Sequence, residues 1–127
     1  MFPRNAYFQQ SEFSCKCGCG YDEISPALVE SLVRLRIEAG HPIIVTSGCR
    51  CQIHNADVGG VWTSYHLRGL AVDVKCPALP FPDFVGIARA FHPSPFRGLR
   101  VYTAAKFLHL DLRTRPFMSY HPDAEKD

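Results

Sequence analysis

The stretch SYHLRGLAVDV, residues 64–74, places His66 and Asp73 seven positions apart around a glycine. Asp73 stands in an alternating apolar run, where burial of a lone carboxylate costs several kcal/mol unless a partner compensates it. A second histidine, His109, stands in a similar run, FLHLDLR. Two imidazoles and one carboxylate form a three-ligand zinc set that leaves a fourth position for water. The residue types therefore indicate a zinc site at His66, Asp73 and His109, in which the cation offsets the burial of Asp73. The alternative is that each histidine is an ordinary core or surface residue and that Asp73 caps a turn or pairs with a Lys or Arg.

Alternation in the two runs predicts which side chains share one face of a strand. In the first run one face carries Leu70, Val72 and Val74, and the other carries Ala71, Asp73 and Lys75. In the second run the core face carries Leu108, Leu110 and Leu112, and the opposite face carries Phe107, His109, Asp111 and Arg113. Because His66 precedes the first strand, the prediction is that two strands and one loop bring the three ligands together.

The rest of the chain predicts an α+β fold with a small antiparallel sheet and helices packed on one side. A helix is expected in SPALVESLVRLRIEAG, with Ser25 as N-cap, Pro26 in the first helical position and Gly40 as the stop. PIIVTSG is typical of a short buried strand, and FPDFVGIARAF of a second, weaker helix. GLRVYTAAKFLHLDLRT predicts a hairpin that turns at 104–106, whereas CRCQIHNADVGGVWTS predicts a loop with at most one helical turn.

Composition limits the possible organisation and partners. A chain of 127 residues with 46% hydrophobic and 20% charged residues predicts one globular domain over 1–127, with 1–12 and 115–127 peripheral. A net charge of +2 does not indicate a nucleic-acid partner. The sequence contains no run of 18 apolar residues, so no membrane span is predicted. A monomer is expected. The start, MFPRNAYFQQ, lacks the apolar segment of a signal peptide, so synthesis in the cytoplasm is expected.

Six cysteines are many for so short a chain, and they fall in CKCGC, in CRC and at Cys76. Clustered thiols in a reducing compartment bind metal or stay free more often than they form disulfides. One interpretation is a second metal site or a disulfide that ties the amino-terminal group to the 49–51 loop through Cys15, Cys17, Cys19 and Cys51. The C-x-C-x-C spacing differs from the usual C-x2-C of zinc knuckles, and a set of buried free thiols is the alternative.

Three segments carry a family resemblance. SYHLRGLAVDV fits the S-x-H-x-x-G-x-A-x-D signature of the zinc D-alanyl-D-alanine carboxypeptidases. TSGCRCQIHNADVGGVWTS resembles the family's S-G-x-R stretch followed by an Asn and a Gly-Gly turn, and FLHLDLR is similar to the short phage-type members, whose second His lies in a strand close to the end. The resemblance spans about 13–113 and implies the fold that the family shares with lysostaphin-type endopeptidases and the hedgehog domain.

The resemblance also implies roles for individual residues. It implies that His66, Asp73 and His109 hold Zn²⁺. It further implies that Arg50 contacts a carboxylate or carbonyl of the substrate and contributes to catalysis, and that Ser64 is a substrate-binding or supporting hydrogen-bond partner. The substrate class implied is a peptidoglycan stem or cross-bridge peptide that contains D-amino acids.

The chain departs from the larger family members at the general base. Those members carry a Glu three residues before the last histidine, in E-x-W-H, and this position is Lys106 here. Asp111 lies two residues after His109 on the same strand face, so it is predicted as the catalytic base, with orientation of the His109 ring as its alternative role. His54 and His121 are further candidates for the base.

Three functions follow from these features. The first is a zinc-dependent peptidase of the D-Ala-D-Ala carboxypeptidase or endopeptidase type, similar to a phage endolysin, that acts on the cell wall after holin-type release or as part of a virion. The second is a zinc-stabilised cell-wall or protein binding module without catalysis. The third is a thiol or redox enzyme that uses Cys49 or Cys51. The sequence has no C-x-x-C motif and pairs no base with either thiol, and both facts argue against this function.

Overall fold

The computed structural model describes residues 1–122, so the last five residues of the peripheral segment 115–127 lie outside the described part of the chain. The helices within this part are α1 Pro26–Ala39, α2 Gln52–Asp57 and α3 Phe81–Arg89, with short 3-10 helices at Gln10–Phe13 and Tyr65–Arg68. The strands are β1 Ile44–Ser47, β2 Ala71–Lys75, β3 Gly98–Tyr102, β4 Phe107–Asp111 and β5 Phe117–His121.

The strands form one sheet in the order β1-β2-β4-β3-β5. All neighbouring pairs are antiparallel except β3 and β5, which are parallel. The predicted α+β class with a small, mainly antiparallel sheet is therefore confirmed, as is the hairpin with its turn before Phe107. The edge strand β5 was missed, because its formation depends on pairing with β3 rather than on local apolar alternation.

The helices α1 and α3 pack with one face of the sheet to form the core. Ser25 caps α1 by accepting a hydrogen bond from the Leu28 backbone N–H at 3.4 Å, and Gly40 ends the helix in the left-handed conformation, both as predicted. The buried core side chains include Leu28, Leu32 and Leu35 of α1, Phe84 and Ala88 of α3, and Val72, Val74, Leu99, Val101, Leu108 and Leu110 of the sheet.

The amino-terminal segment contributes more to the core than the sequence suggested. Phe8 is 4% exposed, and its ring lies 5.9 Å from that of the buried Phe13. Residues 1–12 were expected to be peripheral, but an aromatic side chain from this segment fills part of the core. No helix in the described residues has the length and apolar character that a membrane crossing requires.

The second face of the sheet carries the polar side chains that alternation assigned to it. Asp73, His109 and Asp111 are nevertheless almost fully buried, at 5%, 2% and 0% exposure. Residues Arg50 and His66, from the segment between β1 and β2, contact Asp73 on this face. The connection that contains α2 therefore covers the polar face at the place where these groups meet.

Candidate active site

Strand register places the predicted ligands side by side across the sheet. Asp73 on β2 is paired with His109 on β4, and on its other side it is paired with Ser47 on β1. Side chains at paired positions lie on the same face of a sheet and close together. His66 reaches the same point from the 3-10 helix just before β2. The structure thus brings together the three residues that the sequence singled out.

The ligand atoms have the spacing that a zinc ion requires. Asp73 Oδ1 lies 3.3 Å from His66 Nε2 and 3.3 Å from His109 Nδ1. The three candidate ligand atoms all lie within 4.8 Å of one another. Two N or O ligands at about 2.0–2.1 Å from a tetrahedral zinc are roughly 3.3–3.4 Å apart. The residues present therefore fit a zinc ion with three protein ligands.

Hydrogen bonds on the outer side of each imidazole determine which nitrogen faces the site. His66 Nδ1 lies 2.7 Å from the Gly48 carbonyl oxygen, which can only accept, so Nδ1 carries the hydrogen and Nε2 is left with a lone pair. His109 Nε2 lies 2.7 Å from Asp111 Oδ2, so Nε2 donates and Nδ1 is left with a lone pair. Both rings are held in the tautomer that metal binding needs.

Arg113 holds the Asp111 carboxylate from the other side. The Arg113 Nε atom lies 2.9 Å from Oδ1, Nη2 lies 2.6 Å from Oδ2, and the Arg113 backbone N–H donates to Oδ1 at 3.0 Å. Burial raises the pKa of Asp111, but the hydrogen bonds from His109 and Arg113 outweigh burial and hold this pKa well below its usual range. Asp111 is therefore ionised and engaged through both oxygens.

This geometry does not support the prediction that Asp111 is the general base. Asp111 contacts the Nε2 edge of His109, whereas Asp73 contacts the Nδ1 edge, so the ring separates Asp111 from the ligand atoms. Its lone pairs already accept from two side chains and one backbone N–H. The alternative role, orientation of the His109 ring, is the one that the contacts favour.

Gly98 makes room for Asp111, and sequence reasoning did not find it. Gly98 on β3 is paired with Asp111 on β4, and a Cβ atom at Gly98 would overlap the Asp111 carboxylate. The absent side chain lets the carboxylate lie between His109 and Arg113. Only the register between β3 and β4 connects these two residues.

Arg50 also has a different environment from the one expected. It is 3% exposed and donates to Asp73 Oδ2 at 3.2 Å, to Asn55 Oδ1 at 3.1 Å and to Ser47 Oγ at 3.1 Å. These donors point to protein oxygens, so Arg50 stabilises the buried charge of Asp73 and orients its Oδ1 toward the histidines. Its implied contact with a substrate carboxylate or carbonyl stays a prediction.

Ser64 and Asn55 support the site through the backbone. Ser64 is buried, and its hydroxyl oxygen accepts from the His66 backbone N–H at 3.2 Å, so it caps the 3-10 helix, in line with the role of a supporting hydrogen-bond partner. Asn55, to which the sequence analysis gave no role, accepts from Arg50 and donates to the Val61 carbonyl at 2.9 Å. Its position in HNADVGG was visible in the sequence, but its contact with Arg50 was not.

A cavity of about 450 Å³ opens beside Asp73. The charged and titratable residues that line it are Lys16, Arg50, His54, Asp73 and Lys75. The other lining residues are Thr46, Ser47, Val58, Ala105 and Phe107. Among the described residues that line it, Asp73 is the only carboxylate. The cavity is thus a space with a mainly cationic lining, and of the three candidate ligands Asp73 borders it.

Comparison with known proteins decides the family. The family model for peptidase M15 matches residues 6–111, most of the chain. The chain belongs to the peptidase M15 family. This confirms the resemblance to the zinc D-Ala-D-Ala carboxypeptidase type, and it makes the chain a metallopeptidase that acts on peptidoglycan-type substrates in general. No curated protein sequence matches the chain.

This M15 peptidase has a lysine where larger members have their glutamate base. Lys106 is exposed in the turn between β3 and β4, with φ of 58°. Of the two other histidines considered as bases, His54 lines the cavity beside Asp73. His121 lies on the edge strand β5, stacked on Tyr102 at 4.9 Å between ring centroids. The structure therefore brings His54, and not His121, to the cavity.

The environment of Cys49 does not favour its use as a thiol nucleophile. All six are free, and burial is the main cause that raises the pKa of Cys49 to about 12. A thiol with so high a pKa is a poor nucleophile at neutral pH. Cys51 instead lies within a second cluster, in which Cys15, Cys17, Cys19 and Cys51 place their sulfur atoms within 4.8 Å of one another.

Proposed function

We propose that this M15 peptidase hydrolyses amide bonds in peptidoglycan peptides with a zinc ion held by His66 Nε2, Asp73 Oδ1 and His109 Nδ1. The observation that carries the proposal is that Asp73 Oδ1 lies 3.3 Å from each of the two histidine nitrogens, in a buried site where hydrogen bonds set both histidine tautomers. Three protein ligands leave a coordination position open, which is typical of catalytic rather than structural zinc.

A zinc ion in this site would polarise the scissile carbonyl and activate a water molecule at neutral pH. The chain supplies the positioning. Arg50 holds Asp73 through Oδ2 at 3.2 Å, and Asp111 holds His109 through Nε2 at 2.7 Å. Ser64 fixes the backbone at His66. Each ligand therefore has its own partner that limits its motion, as an effective catalytic site requires.

We assign proton transfer to His54. It lines the cavity beside Asp73, it is half-buried, and neutral imidazole is a suitable base near pH 7. In this assignment His54 accepts a proton from the attacking water and returns it to the leaving amine. His54 thus takes the role that a glutamate has in larger members, where this chain has Lys106. It also takes the role first predicted for Asp111, whose oxygens accept hydrogen bonds from His109 and Arg113.

The cavity lining favours a peptide with free carboxylates. Lys16 and Lys75 line it together with the Arg50–Asp73 pair, so the lining carries a net positive charge. Stem peptides of peptidoglycan carry carboxylates at their side chains and carboxyl terminus, and cationic clefts attract such substrates. We therefore propose that Lys16 and Lys75 bind substrate carboxylates, the role that the family resemblance implies for Arg50.

The test is a product analysis with cell walls and a D-Ala-D-Ala-terminated stem peptide. We expect turbidity loss of purified cell walls, its abolition by a chelator and its recovery on addition of zinc. Release of free D-Ala from the stem peptide would establish the carboxypeptidase type, and new amino groups without free D-Ala would establish the endopeptidase type. Sedimentation of the protein with the walls, without any product, would instead support the binding module.

The phage endolysin role rests on the resemblance to short phage-type members and is part of the proposal. It requires that the enzyme lyse cells from inside once the membrane is permeable. Expression together with a holin should then clear a culture, whereas expression of the peptidase alone should not. Clearing by a His66→Ala variant under the same conditions would contradict the role.

A further inference from the structure

The second cluster joins two segments far apart in sequence. Cys15, Cys17 and Cys19 alternate in one loop, whose base is closed by a hydrogen bond from the Cys15 N–H to the Tyr21 carbonyl at 2.8 Å. Cys51 is the N-cap residue of α2. All four sulfur atoms lie within 4.8 Å of one another. The M15 chemistry at His66, Asp73 and His109 does not use this cluster.

The sulfur spacings fit a shared metal ion better than a disulfide. Cys15 Sγ lies 3.4 Å from Cys17 Sγ and 3.9 Å from Cys51 Sγ, and Cys17 Sγ lies 3.7 Å from Cys51 Sγ. Sulfur ligands at about 2.3 Å from a tetrahedral zinc are roughly 3.8 Å apart. A disulfide requires about 2.05 Å between two sulfurs and leaves the others unpaired. Here three sulfurs are nearly equidistant.

Backbone donors point at the sulfur atoms of this cluster. The Cys51 N–H donates to Cys15 Sγ at 3.4 Å, and the His54 N–H donates to Cys51 Sγ at 3.3 Å. Hydrogen bonds of this kind stabilise a thiolate more than a thiol, because the acceptor is charged. They provide the outer contacts that orient metal ligands.

We propose that Cys15, Cys17, Cys19 and Cys51 form a second zinc site, structural in role, with four thiolate ligands. Binding displaces the thiol protons to solvent, since each ligand binds as a thiolate. Four sulfur ligands fill a tetrahedral zinc and leave no position for water or substrate. The site therefore stabilises the fold and takes no part in hydrolysis.

The proposed site would hold one wall of the catalytic cavity. Lys16, between two of the ligands, lines this cavity, and so does His54, three residues after Cys51. Arg50, next to Cys51, contacts Asp73. Zinc at the thiolates would thus fix the positions of the cysteine loop and of the start of α2 relative to the catalytic residues. Its loss should raise KM and lower thermal stability without removal of the catalytic zinc.

The first experiment counts zinc per chain in protein purified with zinc and reductant. We expect two equivalents in the wild type and one in Cys17→Ser and in Cys19→Ser, both of which alter exposed residues. Cys76→Ser, a buried cysteine outside the cluster, is the matched control and should retain two equivalents. A zinc content in the wild type no higher than that of Cys17→Ser and Cys19→Ser would overturn the proposal.

In a second experiment the two deciding measurements, the cobalt spectrum and the thiol count, are made on the wild type, so they do not depend on the folding of a variant. Cobalt substituted for zinc should give an intense thiolate-to-cobalt charge-transfer absorption, which His66→Ala should retain and Cys17→Ser should lose. Thiol titration of the denatured protein with chelator should find six thiols. Absence of the absorption, or four thiols and therefore a disulfide, would refute the site. Neither result depends on peptidase activity, so the proposed function is tested separately.

Discussion

The two ligand clusters of this M15 peptidase differ in chemistry, in burial and in the elements that present them. His66, Asp73 and His109 come from a 3-10 helix and two paired strands, and all three are buried. The cysteine cluster comes from one loop and the start of α2, and Cys17 and Cys19 are exposed. Both meet the distance requirement for a metal ion, yet they suit different tasks.

Ligand number and supporting contacts explain the difference. The histidine cluster has three nitrogen and oxygen ligands and rigid partners, which leaves an open coordination position in a preorganised site. The cysteine cluster has four sulfur ligands, which close the coordination sphere. A strand pair positions ligands by register, whereas a loop depends on the metal itself for its conformation. The catalytic cluster is thus expected to form without metal, and the cysteine cluster to depend on it.

The largest effect is expected from His66→Ala. Loss of a zinc ligand should abolish activity and remove one equivalent of zinc, while the cysteine-bound equivalent remains. His41→Ala, at an exposed histidine, is the control and should leave activity and zinc content unchanged. The measurements are peptide turnover and metal content. Full zinc retention in both His66→Ala and His109→Ala would refute the catalytic site.

His54→Gln should reduce kcat by about 10²–10⁴-fold, the usual contribution of a general base, with both zinc equivalents retained. The matched change His121→Gln, on edge strand β5 outside the cavity lining, should have little effect. Turnover at saturating substrate and zinc content are the two measurements. If His54→Gln matched the wild type in kcat, another group would have to transfer the proton.

Asp111→Asn should weaken zinc binding at the histidine cluster by about 10- to 100-fold, because the amide holds His109 Nε2–H less well than the carboxylate. Excess zinc should restore turnover. The measurement is activity as a function of free zinc. A large loss of kcat that persists at saturating zinc would reinstate Asp111 as the catalytic base. No change at either concentration would remove it from the site.

Gly98→Ala should lower the free energy of unfolding by about 1–3 kcal/mol, since the added methyl overlaps the Asp111 carboxylate. It should also weaken zinc binding. Gly86→Ala is the matched control on α3, where a Cβ meets nothing within 4 Å, and it should stabilise the protein by up to about 1 kcal/mol. Denaturant unfolding measures the free energy of unfolding of both variants. Equal effects would show that Gly98 has no special role beside Asp111.

Local sequence determined the elements and the residue types of the site. Ser25, Pro26 and Gly40 define α1 because capping and backbone preferences act within a few residues. Alternation placed Asp73 and His109 on one face, opposite Val72 and Leu108, because the side-chain period of a strand is two. The signature around His66 then sufficed for the family, which the M15 match confirmed.

Tertiary structure alone decided how these residues act. Pairing of Gly98 with Asp111 places the Asp111 carboxylate between His109 and Arg113, contacts that favour orientation of the His109 ring over the predicted role as base. The fold also places Arg50 in contact with Asp73, and it adds β5 to the sheet through parallel pairing with β3. Register and side-chain partners depend on contacts between segments far apart in sequence, and these are absent from any local pattern. Residue type therefore predicts which chemistry is available, and packing decides which atom performs it.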